Sequence, residues 1–300
     1  MHTNELVSVV ITTYKRSSNI LMRAVDSVLA QTYRHLECIV VNDAPEERAL
    51  AAEIRSALEN TGDARVRCIE HERNLGSNAA RNTGISAADG TYIGFLDDDD
   101  TWAPDKLARQ LEAFAAHPDA ALVYGGYQVV QNGRTSFNRI PRSGVLPFSM
   151  LLERNVVGPT SFPLIRTSVL KELGSFDPEQ KCCQDYELWL RIAKSYPLVG
   201  IEDCMGTRYI YNDSVFRTLK SFHTADRRIL SKYRDCFRAY PREHNRHLLG
   251  KFLYMLRNRE YKIAFRYKLD AWRADPTNPE NLLPVLFASK LRAKYASRRR

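Results

Sequence analysis

Long hydrophobic runs are missing from this 300-residue chain. Its apolar stretches are strand-sized, Val7–Thr12 and Cys38–Val41 among them, far short of the roughly 18 residues that span a bilayer. The first residues, MHTNELVSVVITTY, carry no basic segment and no small-residue cleavage site, so no signal peptide is expected and the expected location is the cytoplasm. The six cysteines, at 38, 68, 182, 183, 204 and 236, include no C-x-x-C spacing. Zinc and redox centres therefore lack support, and reduced thiols are the expectation. No two of the seven histidines stand at the i, i+4 spacing of a helical metal site. His223 alone is worth following as a later metal ligand, against a plainer surface or core role. Glycine-rich phosphate loops are also absent: VVITTYKRSSN has no glycine, NLGSNAARN is not G-x-G-x-x-G, and no Walker-type lysine occurs.

Charge is present in abundance but unevenly. Residues 1–205 hold 21 Lys and Arg against 27 Asp and Glu, whereas residues 206–300 hold 23 against 8. The basic final stretch KLRAKYASRRR attracts anionic lipid head groups or nucleic acid without sequence specificity. A solvated helical surface is the alternative. Peripheral contact with an anionic membrane is the partner carried forward, and nucleic acid is not.

In the first part the hydrophobic pattern alternates between strand and helix. Val7–Thr12 is a short β-branched run of the kind buried in parallel sheets. Asn19–Gln31 comes next with a helical stripe of Ile20, Ala24, Val28 and Leu29. Leu36–Val41, Arg67–Ile69 and Tyr92–Leu96 read as further strands, with helices over Pro45–Asn60 and Ser77–Ala88 between them. This alternation predicts an α/β fold with a doubly wound, mainly parallel sheet. Ligands of such sheets sit at the carboxyl ends of the strands. Here those ends are Thr12-Thr13-Tyr14, Asn42-Asp43 and the run Asp97–Asp100. Residues 206–300 read as helical, with stripes over Ala225–Tyr240, Arg246–Asn258 and Tyr261–Asp275 broken at Pro241, Pro276 and Pro279.

The four aspartates close a buried strand, and Trp102 and Pro104 pin the segment beyond them. Like charges a few ångströms apart repel and lose hydration in a cleft. Something positive must meet them. Hard carboxylate oxygens suit Mg²⁺ or Mn²⁺ bridging a substrate's phosphates; a solvated acidic loop is the alternative.

Taken together, VSVVITTYKR, ECIVVNDA, ERNLGSNAARNTGISAADGTYIGFLDDDDTWAPDKL and GSFDPEQKCCQDYELWLRIA resemble the family 2 glycosyltransferases of the GT-A fold. The likeness runs over about residues 6–200, in order and spacing. It implies a GT-A type, doubly wound catalytic domain over 1–205 that binds a nucleotide sugar, and a basic, mainly helical extension over 206–300. By the same resemblance Thr12, Thr13 and Tyr14 line the nucleotide, and Asp43 reads the base, favouring a UDP-sugar. An Asx-turn or helix cap is the structural alternative for Asp43. Arg81 reaches the diphosphate or pairs with the aspartates. The D-x-D motif falls on Asp97-Asp98-Asp99: Asp99 binds the metal, Asp97 supports it or the ribose, and Asp98 stands beside the donor.

A general base must take the proton of the acceptor hydroxyl. The family's pair at a helix start is Gln184-Asp185 here, so the resemblance makes Asp185 that base, with helix capping as the alternative. Along this helix Leu188, Ile192 and Ala193 are expected inward, while Glu187 and Arg191 need not be. One base opposite one leaving group implies a single displacement with inversion. The Q-x-x-R-W motif of processive members is absent, and so is the Y-R-x-H-like segment; its counterpart, Tyr209–Asn212, lacks Arg and His, leaving Arg208 or Arg217 as substitutes. The implied acceptor is a hydroxyl of a saccharide or a lipid-linked saccharide. A nucleotidyltransferase and a non-catalytic binding protein on the same fold are the competing classes.

Overall fold

A computed structural model of the chain describes residues 5–44, 46–210 and 218–282. Seven elements open it: β1 (Val7–Thr13), α1 (Ser18–Leu29), β2 (Leu36–Asn42), α2 (Arg48–Glu59), β3 (Val66–Glu70), α3 (Ser77–Ala87) and β4 (Tyr92–Asp97). All seven match the elements expected from the hydrophobic pattern, with ends differing by at most three residues. Then come β5 (Thr101–Trp102), α4 (Lys106–Ala116), β6 (Leu122–Gln131), β7 (Arg134–Arg139), β8 (Gly144–Val145) and α5 (Phe148–Glu153). Next are β9 (Leu164–Arg166), α6 (Thr167–Leu173), α7 (Gln184–Ala193) and β10 (Leu198–Ile210). The last helices are α8 (Leu219–Lys232), α9 (Arg234–Ala239), α10 (Pro241–Arg257) and α11 (Tyr261–Ala274).

The described residues form two compact units, one within Met1–Leu146 and Val156–Phe216, the other within Pro147–Asn155 and Arg217–Arg300. The first is built on a sheet of order β3-β2-β1-β4-β9-β6-β10-β5. Strands β3, β2, β1 and β4 are mutually parallel, as are β6 and β10; the short β9 joins the two groups by antiparallel pairing. Alternation along the strands explains the double winding. Val7, Val9 and Ile11 point into one core with Leu21, Val25 and Val28 of α1, Ile54 of α2 and Leu107 and Phe114 of α4. Val10 faces the other way and meets Gly84 of α3, where an added Cβ would lie 2.3 Å from the valine Cγ1. Only a glycine lets this helix approach so closely.

In the second unit α10 and α11 share an apolar core of Leu248, Leu249, Met255, Ala264, Tyr267 and Ala271. The single helix expected over Ala225–Tyr240 is two, α8 and α9, separated at Tyr233. Pro241, expected as a break, instead opens α10 as its first residue, where its missing N–H costs nothing. A buried network ties these helices. Asp226 accepts from Tyr267 Oη at 2.7 Å and lies 2.9 Å from His247 Nε2 and 3.2 Å from Lys251 Nζ. Burial opposes ionisation of Asp226, yet His247 and Lys251 hold its carboxyl below the usual range. The half-buried His223 joins this network, its Nδ1 3.0 Å from Tyr267 Oη. All six cysteines are free thiols. Among the described residues no helix is long and apolar enough to cross a membrane.

Candidate active site

Strands β1 and β4 are parallel neighbours in a register that sets Thr12 beside Asp97, so both chains leave the sheet at one edge. That edge is where the acidic run meets its counter-charges. The Thr13 hydroxyl donates to Asp98 at 2.6 Å. Arg16, in the loop after β1, lies 3.3 Å from Asp98 through Nε and 3.0 Å from Asp99 through Nη2. Arg23 of α1 donates to the Asp99 carbonyl at 2.8 Å and stacks 4.1 Å from the Tyr209 ring centroid. From α3, Arg81 reaches Asp97 at 2.7 Å. Asp100 turns inward instead: Ser161 Oγ donates to it at 2.6 Å and the Tyr209 N–H at 3.1 Å. Arginines therefore supply part of the positive charge that the sequence pattern calls for, with Arg81 pairing with an aspartate, one of its two expected roles.

Compensation is incomplete. Burial raises the carboxyls of Asp98 and Asp100 above the ordinary range, against the pull of Thr13 and Arg16 in the first case and of Ser161 and Arg208 in the second. Asp99 is pushed up to about 6 by burial and then by the charges of Asp97 and Asp98. Asp97 is the most open of the first three, with 35% of its side chain exposed against 11% for Asp98 and 18% for Asp99. Burial thus opposes ionisation of Asp98, Asp99 and Asp100, and Asp97 gives the cluster access to solvent.

Asp43 is held by partners within the chain. It is buried at the end of β2, and both its oxygens are engaged. Oδ1 accepts from the Leu75 N–H at 2.8 Å and sits 2.7 Å from His71 Nδ1; Oδ2 accepts from the Gly76 N–H at 2.8 Å. The carboxylate thus shapes the loop that enters α3, with Gly76 at φ +89° in the left-handed region. The Asx-turn here belongs to Asn42, whose Oδ1 accepts from the Ala44 N–H at 3.1 Å; Pro45 lies outside the described residues.

Helix α3 connects the acidic turn to α7. Asn78 donates to the carbonyls of Asp177 and Gln180 at 2.8 and 3.0 Å, and Asn82 exchanges two 2.9 Å hydrogen bonds with the Phe176 backbone. Gln184, at the start of α7, approaches Ser77 Oγ at 3.5 Å. Cys183 before it is left-handed, at φ +56°, and this bend launches the helix. Asp185 is half-buried in the first turn of α7, where its Oδ1 accepts from the Tyr186 N–H at 2.8 Å. The inward placement of Leu188 and Ile192 is observed and Ala193 is half-buried, while Glu187, which the pattern did not require inward, is fully buried. Arg191 accounts for this, pairing with Glu187 at 2.8 Å.

Thr13, Asp97, Asp98, Asp99 and Arg81 are thus joined in one network, with Thr12 half-buried and Tyr14 46% exposed at the same strand end. Asp43 and Asp185 flank it through α3. Arg208 is exposed and favours ionisation of Asp100, while Arg217, Tyr211, Asn212 and the basic end of the chain lie outside the described residues. Sequence reasoning missed Arg16, Arg23 and Ser161; Tyr209, noted as the start of the Y-R-x-H-like counterpart, stacks on Arg23 and donates its N–H to Asp100.

Arg81 is 94% buried, by its 6% exposure, and among the described residues its Nη1 has no hydrogen-bond partner. A buried charged donor without an acceptor is costly, and an anionic group would satisfy it. Among the described residues no three His, Cys, Asp or Glu side chains form a ready metal cage. The donor set of Asp97 and Asp99 nevertheless fits Mg²⁺ or Mn²⁺, which keep waters and take only one or two carboxylates beside a substrate's phosphates.

Comparison with known proteins agrees with this arrangement. The family model described as Glycosyl transferase family 2 matches residues 8–174. An uncharacterized glycosyltransferase of Rickettsia felis is 32% identical over 200 residues, 64% of this chain and 32% of that protein. The chain thus spans about a third of the length of this relative. The UDP-Glc:alpha-D-GlcNAc-diphosphoundecaprenol beta-1,3-glucosyltransferase WfgD of Escherichia coli is 26% identical over 207 residues, 65% of this chain and 73% of that protein. Among solved structures, S. aureus TarS 1-349 in complex with UDP-GlcNAc superposes with a TM-score of 0.65 at 18% identity, covering 89% of this chain and 81% of that one. At that identity the likeness concerns the fold, which is GT-A.

Proposed function

The chain belongs to glycosyl transferase family 2, and from that premise we propose that it moves a sugar from a nucleotide sugar, a UDP-sugar by preference, to an acceptor hydroxyl in polysaccharide or glycoconjugate biosynthesis. The observation that carries the reading is the under-compensated acidic turn at the strand edge, next to the unspent Nη1 of Arg81. A sugar diphosphate brings what this pair of features lacks: negative oxygens for the guanidinium, and phosphates that share a divalent cation with the carboxylates. Asp99 and Asp97 are the residues that would hold that cation, which would supply Lewis-acid stabilisation of the leaving diphosphate. The UDP-GlcNAc bound to S. aureus TarS and the UDP-Glc in the name of WfgD support a uridine donor.

Asp185 is the proposed general base. It takes the proton from the acceptor oxygen as that oxygen forms the new bond to the anomeric carbon and the bond to the diphosphate oxygen breaks. Arg81 stabilises the charge gathering on the departing diphosphate. Attack from the side opposite the leaving group inverts the anomeric carbon. Thr12, Thr13 and Tyr14 line the nucleoside, the exposed Tyr14 ring offering a stacking face. Asp98 and Asp43 act by position, the first through Thr13 and Arg16 and the second through the loop ahead of α3. The acceptor proposed is a saccharide carried on a lipid diphosphate, the acceptor class in the name of WfgD. Residues 1–205 are the catalytic domain in this reading, and 206–300 an extension that serves the acceptor side.

Calorimetric titration of UDP, GDP and their sugar conjugates, with and without Mn²⁺, tests the donor half. Metal-dependent binding of UDP-sugars that Asp99→Ala abolishes is expected. A folded protein that binds no nucleotide sinks the catalytic reading in favour of a non-catalytic one.

A further inference from the structure

The second unit contains a cleft that glycosyl transfer on the β-sheet edge leaves without a role. It opens between α8, α9, α10 and α11 and has a volume of 560 Å³, within the roughly 300–1,000 Å³ of small-molecule sites. Four guanidinium groups line it: Arg227 from α8, Arg234 and Arg238 from α9, and Arg273 from α11. One carboxylate in the lining, Asp270, answers them. Arg227 holds it at 2.6 Å and Arg273 approaches it at 3.5 Å, so a single negative charge is shared by two arginines on different helices. Among the described residues Arg238 pairs only with the solvent-exposed Asp235, 3.8 Å away, and that pair is screened by water. Arg234 forms no ion pair among the described residues.

Between these charges the lining is apolar. Phe237 and Leu248 are buried at its base, with Leu230 and Ala274 beside them. His244 adds no charge at neutral pH, because burial pushes its imidazole down to about 4. A purely solvated basic face would scatter its arginines over polar surface. Here they ring a concave apolar floor, an arrangement that matches an anionic head joined to an apolar chain.

We propose that this cleft binds the diphosphate head and the adjoining hydrocarbon of an isoprenoid diphosphate ester, the carrier of the acceptor. The proposal takes its ligand class from the acceptor named under the proposed function, but its geometry stands on the second unit alone. The shared chemistry is a diphosphate, which a free anion, an isoprenoid ester or an anionic bilayer surface imitates to different degrees.

Titration of the full chain with farnesyl diphosphate, inorganic pyrophosphate and phosphatidylglycerol vesicles as separate arms separates these sources. Farnesyl diphosphate binds, and pyrophosphate binds at least tenfold more weakly for want of the apolar contact. Replacing both Arg234 and Arg238 by alanine weakens farnesyl diphosphate at least tenfold while leaving UDP titration unchanged. Both side chains are exposed, so the fold is kept, and an unaltered melting curve checks it. Absence of farnesyl diphosphate binding, equal affinity in the double variant, pyrophosphate binding as tightly as the ester, or binding to vesicles alone would each overturn the proposal. Farnesyl diphosphate binding by a chain that takes no UDP would uphold the cleft and remove the glycosyl-transfer reading instead.

Discussion

Arg16 bridges two consecutive aspartates, reaching Asp98 with Nε at 3.3 Å and Asp99 with Nη2 at 3.0 Å. Even so, Asp99 is raised from an ordinary 3.8 to about 6, so one arginine does not neutralise the turn. The folded chain therefore binds more protons than the unfolded chain between those two values. Stabilisation from the raised value is complete below 3.8 and is lost as pH rises through about 6. At neutral pH the ionised Asp99 costs about 3 kcal/mol. Asp99→Asn should accordingly melt roughly 4–10 °C higher than the parent at pH 7.5, with the gap closing toward pH 4. Scanning fluorimetry across that range checks it. Equal melting at pH 7.5 would mean that Arg16 already neutralises the site. Added Mn²⁺ should raise the parent's melting temperature and leave Asp99→Asn unmoved.

Arg81 combines a 2.7 Å contact to Asp97 with an Nη1 that has no hydrogen-bond partner among the described residues. A lysine in its place keeps the charge but not the fork, since it is a single point donor. Arg81→Lys should therefore still pair with Asp97 and hold its melting temperature within a few degrees. Its affinity for the nucleotide sugar should fall about tenfold, the equivalent of one lost charge-assisted hydrogen bond of about 1.4 kcal/mol. Unchanged affinity by calorimetry would show that Nη1 does not face the donor.

The strands and helices up to Leu96 were legible because buried parallel strands are written as β-branched runs, as in Val9-Val10-Ile11, and their helices as 3.6-residue stripes. The other half of the sheet was not. Strand β6 carries Gly125 and Gly126 amid aromatic residues, and β9 is only three residues long, so neither shows a strand's period. Gly125 is explained by packing: an added Cβ would lie 2.5 Å from Met205 Cγ, a neighbour eighty residues away in sequence. At the site, the acidic run and Asp185 could be picked out by residue type and position. Arg16 could not, since its partners lie more than eighty residues on; the usable signal was that parallel neighbours β1 and β4 end at one edge. The burial of Glu187 was not legible, because nothing in a helical stripe shows that a charged residue meets an arginine partner.

Asp43 accepts from two backbone N–H groups and stands against His71 while almost wholly buried. Removing the carboxylate leaves the Leu75 and Gly76 donors without partners and releases the loop that begins α3. Asp43→Ala should cost about 3 kcal/mol, two or more buried hydrogen bonds at roughly 1–3 kcal/mol each with partial relaxation. Urea denaturation measures this directly. If Asp43 served only a bound base, the variant would lose nucleotide affinity at unchanged stability, and that outcome would reverse the structural account.

Helix α7 offers an internal control, because two acids two residues apart have different surroundings. Glu187 is fully buried, and its partner Arg191 also donates to the carbonyls of Leu173, Gly174 and Ser175, fixing the turn after α6. Glu187→Ala leaves that guanidinium without its counter-charge and should destabilise the fold by about 3–5 kcal/mol. Its turnover, measured well below its melting point, should stay within a few fold of the parent. Asp185 is half-buried in the first turn and accepts from the adjacent Tyr186 N–H. Asp185→Asn keeps the shape and can still accept that hydrogen bond, so its melting temperature should shift little. Its turnover should fall by roughly 10²–10⁴, the worth of a general base, with donor affinity retained. The double dissociation separates a base from a cap: a capping aspartate loses stability and keeps turnover, and a base does the reverse.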